Sequence, residues 1–539
     1  MDDAQKAEAA AKRANARRRG VSDSDDPDLG ASDAGASGLR AAGTGASGPG
    51  ASGPGASGPG AGGSRTTGQW VGLFAGAAVF FSMMLAPAPE GLSREAWITA
   101  ALAALMVAWW ISEALPIAAT SLLPLAVLPL AGVASMREAA APYMSPIVVL
   151  LMAGFIIAKG IERWNLHERI ALTIVDSIGA RPPALIAGFM IAAALLSMWI
   201  SNTATALMMT PIALSVAHAV LGPAAMQSRF AVALLLAVAY ACSIGGLGTP
   251  VGSPTNLIVI GYLAEQGVAV GFSDWMRFGL PAVLTILPLA WLVLVRYGAR
   301  DAGADMAAAG RVVREARAAL GPATAPEIRT LIVFALIAGA WIFRAQLQHA
   351  PGLERLNDQI IAVAGAIVFF ILPSGSKAEP GAPLLDWASA ERIPWGVVLL
   401  FGGGLSLASA IAKTGLAAFL AAGFSKLGGA PDIVMILALT ALVLALTEVI
   451  SNVATVSAIM PMVAAIAIAA GADLLLLSAA VGLAASCAFM LPMATGPNAV
   501  AYASGALSVG RMARIGVRVN LIAVAAITVL VAVLGPRIG

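Results

Sequence analysis

The pentad Ser201-Asn202-Thr203-Ala204-Thr205 returns as Ser451-Asn452-Val453-Ala454-Thr455, and each copy is followed at the same interval by a proline, Pro211 and Pro461. Both copies lie in strongly apolar sequence. A Ser-Asn pair in such surroundings is costly unless its polar groups meet protein, water, ions or a ligand. One copy reads as a helix cap. Two copies imply a two-fold-related polar site inside a membrane, the arrangement of secondary transporters.

The rest of the chain fits a membrane setting. Of 539 residues, 59% are hydrophobic and 11% charged, whereas soluble domains carry roughly 25% charged residues. The chain therefore reads as an all-α polytopic membrane protein, with no room for a separate soluble enzyme domain. Cys242 and Cys487 fall in apolar segments and read as packing residues. His167, His218 and His349 are scattered and form no metal-ligand pattern. There is no Walker A loop, dinucleotide fingerprint or metalloprotease helix motif, which argues against ATP-driven pumping.

Residues 1–68 contain no apolar run and include the Gly-Ala-Ser-Gly-Pro stretch Gly45–Gly63. They are expected to form a disordered tail, with residues 69–539 as the transporter domain. Lys6, Lys12, Arg13 and Arg17-Arg18-Arg19 suggest a cytoplasmic N-terminus. Asp23, Asp25, Asp26 and Asp28 balance that basic cluster, so no nucleic-acid partner is expected.

Apolar runs predict spans at 70–87, 95–114, 117–134 and 145–164, then a re-entrant region at 183–219. A span at 229–247 leads into a broken loop at 248–256, and another span covers 275–296. The Arg-rich loop 297–326 precedes spans near 327–345 and 357–373 and an apolar stretch at 394–422. A second re-entrant region at 432–470 is followed by a span at 473–491, a broken loop at 492–498 and a last span at 511–535. This gives about eleven transmembrane helices plus two re-entrant hairpins. The Arg-rich loop then lies on the side of the N-terminus, as the positive-inside rule requires.

Further pairs support an internal repeat, about 145–296 and about 394–536. Gly154 matches Gly403, Ser197 matches Thr447, and Gly252-Ser253-Pro254-Thr255-Asn256 matches Ala494-Thr495-Gly496-Pro497-Asn498. An odd number of crossings between the halves makes the repeat inverted. Helices that begin at the Ser-Asn pairs would offer free N–H groups and positive dipole ends to a dianion. The Asn202 and Asn452 amides suit a bridge between anion and cation, and carbonyls freed near Gly252 and Ala494 suit a small hard cation. Glu448 is an intramembrane acid, for which hairpin support is preferred to proton carriage. Lys159, Glu162 and Glu113 read as snorkelling groups, and Trp109-Trp110 and Pro394-Trp395 as interfacial anchors.

At these residues the chain resembles the divalent anion:sodium symporter (DASS) family. The similar stretches are Trp-Trp-Ile-Ser-Glu-Ala-Leu-Pro at 109–116, Ser-Met-Trp-Ile-Ser-Asn-Thr-Ala-Thr at 197–205 and Pro-Trp-Gly-Val-Val-Leu-Leu-Phe-Gly-Gly-Gly at 394–404. Leu-Thr-Glu-Val-Ile-Ser-Asn at 446–452 and Ser-Cys-Ala-Phe-Met-Leu-Pro at 486–492 extend the likeness, which covers nearly all of 95–535.

The resemblance implies eleven spans, a homodimer, and elevator-type import of C4-dicarboxylates coupled to Na+ across the plasma (inner) membrane, with no other cofactor. It places substrate contacts on Ser201, Asn202, Thr203, Ser253, Pro254, Ser451, Asn452 and Thr495. Its first sodium site falls on Ser197, Asn202 and Gly252, and its second on Thr447, Asn452 and Ala494. Val453 replaces the Thr of the bacterial-type second motif, and Thr255 and Gly496 interrupt the family's Thr-Pro-Pro-Asn pattern. A sodium-independent exchanger, or a carrier of sulfate or citrate, is the nearest alternative. A membrane enzyme would need a nucleophile–base pair or metal ligands, and a channel would conduct without stoichiometric coupling.

Overall fold

Every regular element of the computed structural model is helical among the residues it describes, 65–302, 306–423 and 431–535. The expected tail lies outside the described residues as far as residue 64. The first helix, Thr67–Leu85, begins two residues before the expected domain boundary. The cause is local: the Thr66 hydroxyl accepts the Gln69 N–H while the Gln69 side chain accepts the Thr66 N–H. This reciprocal cap satisfies two otherwise unpaired donors.

Nine helices among the described residues have the length and hydropathy to cross a membrane. They include Thr67–Leu85, Arg94–Ser112, Ala325–Ile342, Trp395–Thr414 and Val509–Leu534. Shorter apolar helices lie between them, among them Asp358–Ile371 and the proline-broken pair within Ile117–Leu130. The outer faces carry exposed Leu85, Leu130, Leu336, Ile371 and Leu521. Apolar faces of this kind mark contact with hydrocarbon or with another protein chain.

The two expected re-entrant regions are helical hairpins. Pro182–Ser197 and Asn202–Leu221 flank the turn 198–201, and Asp432–Thr447 and Asn452–Ala470 flank the turn 448–451. Each hairpin is followed by a helix broken in its middle. The first broken pair is Arg229–Gly245 and Pro254–Glu265, and the second is Leu474–Ala485 and Gly496–Ala503. The sequence reading foresaw both interruptions but not the helices Pro254–Glu265 and Gly496–Ala503 that resume after them.

Arg229–Gly245 lies at the centre, with every residue from Phe230 to Gly245 buried. Its alanines let neighbouring backbones approach closely, the usual way membrane helices associate without a hydrophobic driving force. The long helix after each broken pair shows the same device. A Cβ on Gly279 would stand 2.2 Å from the Leu247 carbonyl oxygen, and one on Gly516 would stand 2.1 Å from that of Phe489.

Two expectations are corrected, and a third region gains detail. Trp110 is no interfacial anchor: it is buried in the core and its indole N–H donates to Ser121 Oγ at 3.3 Å. The apolar stretch 394–422 is two helices, because Gly415 adopts φ 76° and turns the chain between Trp395–Thr414 and Leu416–Gly423. The Arg-rich loop contains an amphipathic helix, Met306–Ala319, packed on another at Leu166–Ile178. Arg317 pairs with Asp176 at 2.7 Å between them. Cys242 and Cys487 are buried free thiols, as expected.

Candidate functional site

Each hairpin tip is built by the same bond. Ser197 Oγ donates to Asn202 Oδ1 at 2.5 Å, and Thr447 Oγ1 donates to Asn452 Oδ1 at 2.5 Å. The last residue of each first arm thus clamps the first residue of the second arm across a four-residue turn. Ser201 and Ser451 occupy the N-cap positions, yet neither side chain caps its helix. Ser201 is exposed, while Asn202, Thr203, Ser451, Asn452 and Val453 are half-buried. Free N–H groups and uncommitted hydroxyls therefore meet at both tips.

The broken helices are tied by a second repeated device. Asn256 Nδ2 donates to the carbonyls of Gly246 and Thr249, both at 2.8 Å. Asn498 Nδ2 donates to those of Ala488 and Leu491, at 3.0 and 3.1 Å. Each asparagine thereby binds two carbonyls that the interruption strips of helical partners. Both asparagines are fully buried, which fits the rule that buried backbone oxygens find donors.

Tip and break meet at a group of oxygens. A Cβ on Gly246 would stand 2.9 Å from both amide atoms of Asn202 and 3.0 Å from the Gly252 carbonyl oxygen. One on Gly252 would stand 3.1 Å from the Met198 carbonyl oxygen. Ser197, Asn202 and Gly252, the expected first cation ligands, are thus brought to one place. The Met198 carbonyl is itself held by Thr249 Oγ1 at 2.5 Å.

In the second half Thr447 Oγ1 touches two oxygens, Asn452 Oδ1 and the Ala485 carbonyl at 2.9 Å. One hydroxyl proton serves two acceptors there. The donor set of neutral oxygens fits a hard cation. Turning the amide half a turn would give Thr447 a donor instead, so this pair suits the presence or absence of a cation equally. Ala494 sits within the break, its N–H bonded to Leu491. The carbonyl that reaches Thr447 is that of Ala485, which sequence reasoning missed. Among the described residues no cluster of three or more His, Cys, Asp or Glu exists.

Ser253 and Thr495 are buried N-cap residues of the resumed helices, and Pro254 is the first helical residue after Ser253. Thr495 caps its helix by accepting the Asn498 N–H at 3.3 Å, whereas Ser253 does not cap. Thr203 in the first hairpin lies against Gly496 of the second break, where an added Cβ would stand 2.0 Å from its hydroxyl. The halves therefore interlock. Helix Asn202–Leu221 packs on Gly496–Ala503, and Asn452–Ala470 packs on Pro254–Glu265. No hydrogen bond of these site residues goes to Lys or Arg among the described residues.

Glu448 breaks the likeness between the halves. Its Oε1 accepts the Phe489 N–H at 2.8 Å, and Met490 and Leu491 donate to the same carboxylate at 3.0 to 3.1 Å. The position equivalent by the pentad spacing is Met198. An apolar crevice between Ile258, Tyr262, Leu400, Phe401 and Met460 includes none of the expected ligands.

The sodium:sulfate symporter transmembrane region matches residues 67–538. The sodium-dependent dicarboxylate transporter SdcS of Staphylococcus saprophyticus is 38% identical over 485 residues, covering 88% of this chain and 93% of that protein. SdcS of Staphylococcus aureus strain MRSA252 is 38% identical over 465 residues, covering 85% and 89%. The solved Alcanivorax borkumensis YdaH transporter superposes with a TM-score of 0.51 at 14% identity, covering 87% of this chain and 96% of that one. That last likeness concerns the fold alone.

Proposed function

Because the chain belongs to the sodium:sulfate symporter transmembrane-region family, and is thus a multi-pass membrane transporter rather than an enzyme, we propose that it imports C4-dicarboxylates such as succinate, malate or fumarate together with Na+. The observation that carries this reading is the pair of clamped Asn residues, Asn202 and Asn452, each with further oxygens close by and at the start of a helix that no side chain caps. The relatives named as sodium-dependent dicarboxylate transporters support the choice of ion and anion.

In this reading Ser201, Asn202, Thr203, Ser253, Pro254, Ser451, Asn452 and Thr495 line the anion site. One Na+ takes oxygens from Ser197, Asn202 and Gly252. The other takes oxygens from Thr447 and Asn452, with Ala494 in the adjoining break. The two hairpins are re-entrant, so seven long helices, two short apolar ones and the two broken pairs make eleven crossings. The halves 145–296 and 394–536 form the inverted repeat, and the N-terminal tail before helix Thr67–Leu85 lies in the cytoplasm. Two chains assemble in the plasma membrane and work by elevator-type alternating access.

Charge arithmetic explains the need for cations. Moving a dianion into a negative cell costs about 4.6 kcal/mol per 100 mV, at roughly 2.3 per charge. Two Na+ cancel that cost, and a third would let the potential drive uptake. Uptake of radiolabelled succinate into proteoliposomes should require an inward Na+ gradient and rise sigmoidally with Na+. Undiminished uptake in K+ or choline, with strict trans-stimulation, would replace this reading by sodium-independent exchange.

A further inference from the structure

Three hydroxyls close a triangle between the two halves. Ser253 Oγ lies 2.7 Å from Thr255 Oγ1, Thr255 Oγ1 lies 2.8 Å from Ser486 Oγ, and Ser486 Oγ lies 3.2 Å from Ser253 Oγ. All three residues are buried. Each hydroxyl can donate to one neighbour and accept from the other, so the ring is self-satisfied without water, and it opens at no loss of partner when Ser253 donates to an anion while accepting from Thr255 or Ser486. The second half has nothing like it, because Pro497 stands where Thr255 would be.

The triangle has two physical effects. It draws the Ser253 hydroxyl away from the first N–H groups of helix Pro254–Glu265, which is why that N-cap makes no side-chain bond while Thr495 caps its own helix. It also ends on Ser486, whose neighbour in the chain is Ala485, the residue whose carbonyl meets Thr447. A single peptide unit therefore separates the anion-side Ser253 from the Thr447–Asn452 pair.

We propose that Thr255 and Ser486 are positioning residues: they hold Ser253 for the anion and link it to the second cation pair, so that cation binding at Thr447 and Asn452 tightens the anion site. This rests on the sodium–dicarboxylate reading above and adds to it the route of coupling. A cation that draws on the Ala485 carbonyl shifts the Ala485–Ser486 peptide, and the hydroxyl ring passes that shift to Ser253. By linkage, any gain in anion affinity produced by the cation returns as an equal gain in cation affinity produced by the anion.

The test uses the purified full chain, with succinate and NaCl as probes, and calorimetric binding at limiting and saturating Na+. Thr255→Val keeps the volume and removes the hydroxyl. It should weaken succinate binding at saturating Na+ about three- to tenfold, the usual consequence of losing one hydrogen bond. The ratio of succinate Kd at limiting and saturating Na+ should shrink, and Ser486→Ala should act in the same direction. Thr255→Ser should restore both. Wild-type protein that binds succinate in a Na+-dependent way, with Thr255→Val changing only the melting temperature, would overturn this proposal and leave the reading above intact. Wild-type protein that binds no succinate at any Na+ would overturn both.

Discussion

The Asn520 amide nitrogen lies 2.6 Å from Glu448 Oε1, on a carboxylate that also takes three successive backbone N–H groups of the second break. Glu448 thus joins the second hairpin, the broken helix and the helix Val509–Leu534. Every group facing it in these bonds is a donor. A carboxylate so surrounded is held as an acceptor, which supports the structural role over proton carriage.

Glu448→Gln should accordingly destabilise the protein, because its NH2 would face N–H groups in place of an oxygen. An unsatisfied buried donor costs about 1–3 kcal/mol, so melting of the purified variant should fall clearly below wild type. A variant of native stability whose uptake loses a pH dependence present in wild type would instead make Glu448 a proton carrier.

Asn202→Ala and Asn452→Ala each remove an amide that faces both proposed ligands. Loss of a hydrogen bond to a charged group costs about 1.5–3 kcal/mol, or roughly tenfold or more in affinity. Succinate and Na+ affinities should fall together in each variant, measured by binding to the purified protein. Variants that melt early yet bind both ligands normally would reduce the pentads to packing motifs.

Gly496→Ala places a Cβ against the Thr203 hydroxyl, so Thr203 must turn away. Succinate affinity should drop, and the penalty should be coupled to position 203. In Thr203→Ala/Gly496→Ala the 2.0 Å clash with the hydroxyl is gone and only a 3.1 Å approach to the Cβ remains, so the melting temperature should recover in large part while succinate affinity stays low. A double-mutant cycle on both readouts measures this. Strict additivity would mean that the two residues do not interfere.

Asp386 belongs to the pairs around the loop 372–394. Burial pushes its carboxyl up, but the Ser389 N–H and the Arg163 guanidinium more than offset this and hold it below the usual Asp range. Its stabilising contribution is therefore complete above the unfolded value of about 3.9 and is lost as pH falls through the lower folded value. The side chain is 41% exposed, so solvent screening limits the effect to below about 1 kcal/mol. The melting difference between Asp386→Asn and wild type should be present at neutral pH and vanish in strong acid. A difference independent of pH would mean that the charge of Asp386 is not what stabilises this region, since Asn keeps the cap to the Ser389 N–H.

Much of this architecture is legible in the sequence because apolar runs, Gly/Pro breaks and the repeated pentad are local signals. The clamp from Ser197 to Asn202 spans five residues and shows in the motif itself. What escaped was of two kinds. Leu166–Ile178 and Met306–Ala319 carry too many charges to resemble spans, and their helical character lies in an amphipathic period. The contacts of Ser486 with Thr255, and of Glu448 with Phe489, join segments far apart in the chain. Trp110 was misread because tryptophan composition marks interfaces only on average.

The helix Arg229–Gly245 has neighbours on every side: Pro182–Ser197, Asn202–Leu221, Phe272–Gly298 and Gly496–Ala503. It has no free flank along which one of them could slide, and its close backbone contacts resist shear. Under the alternating access proposed above, a displacement that bares the proposed anion site to one compartment and then the other would carry this helix together with those companions. The seam of the proposed motion would then lie outside this group of helices rather than at the hairpin tips themselves.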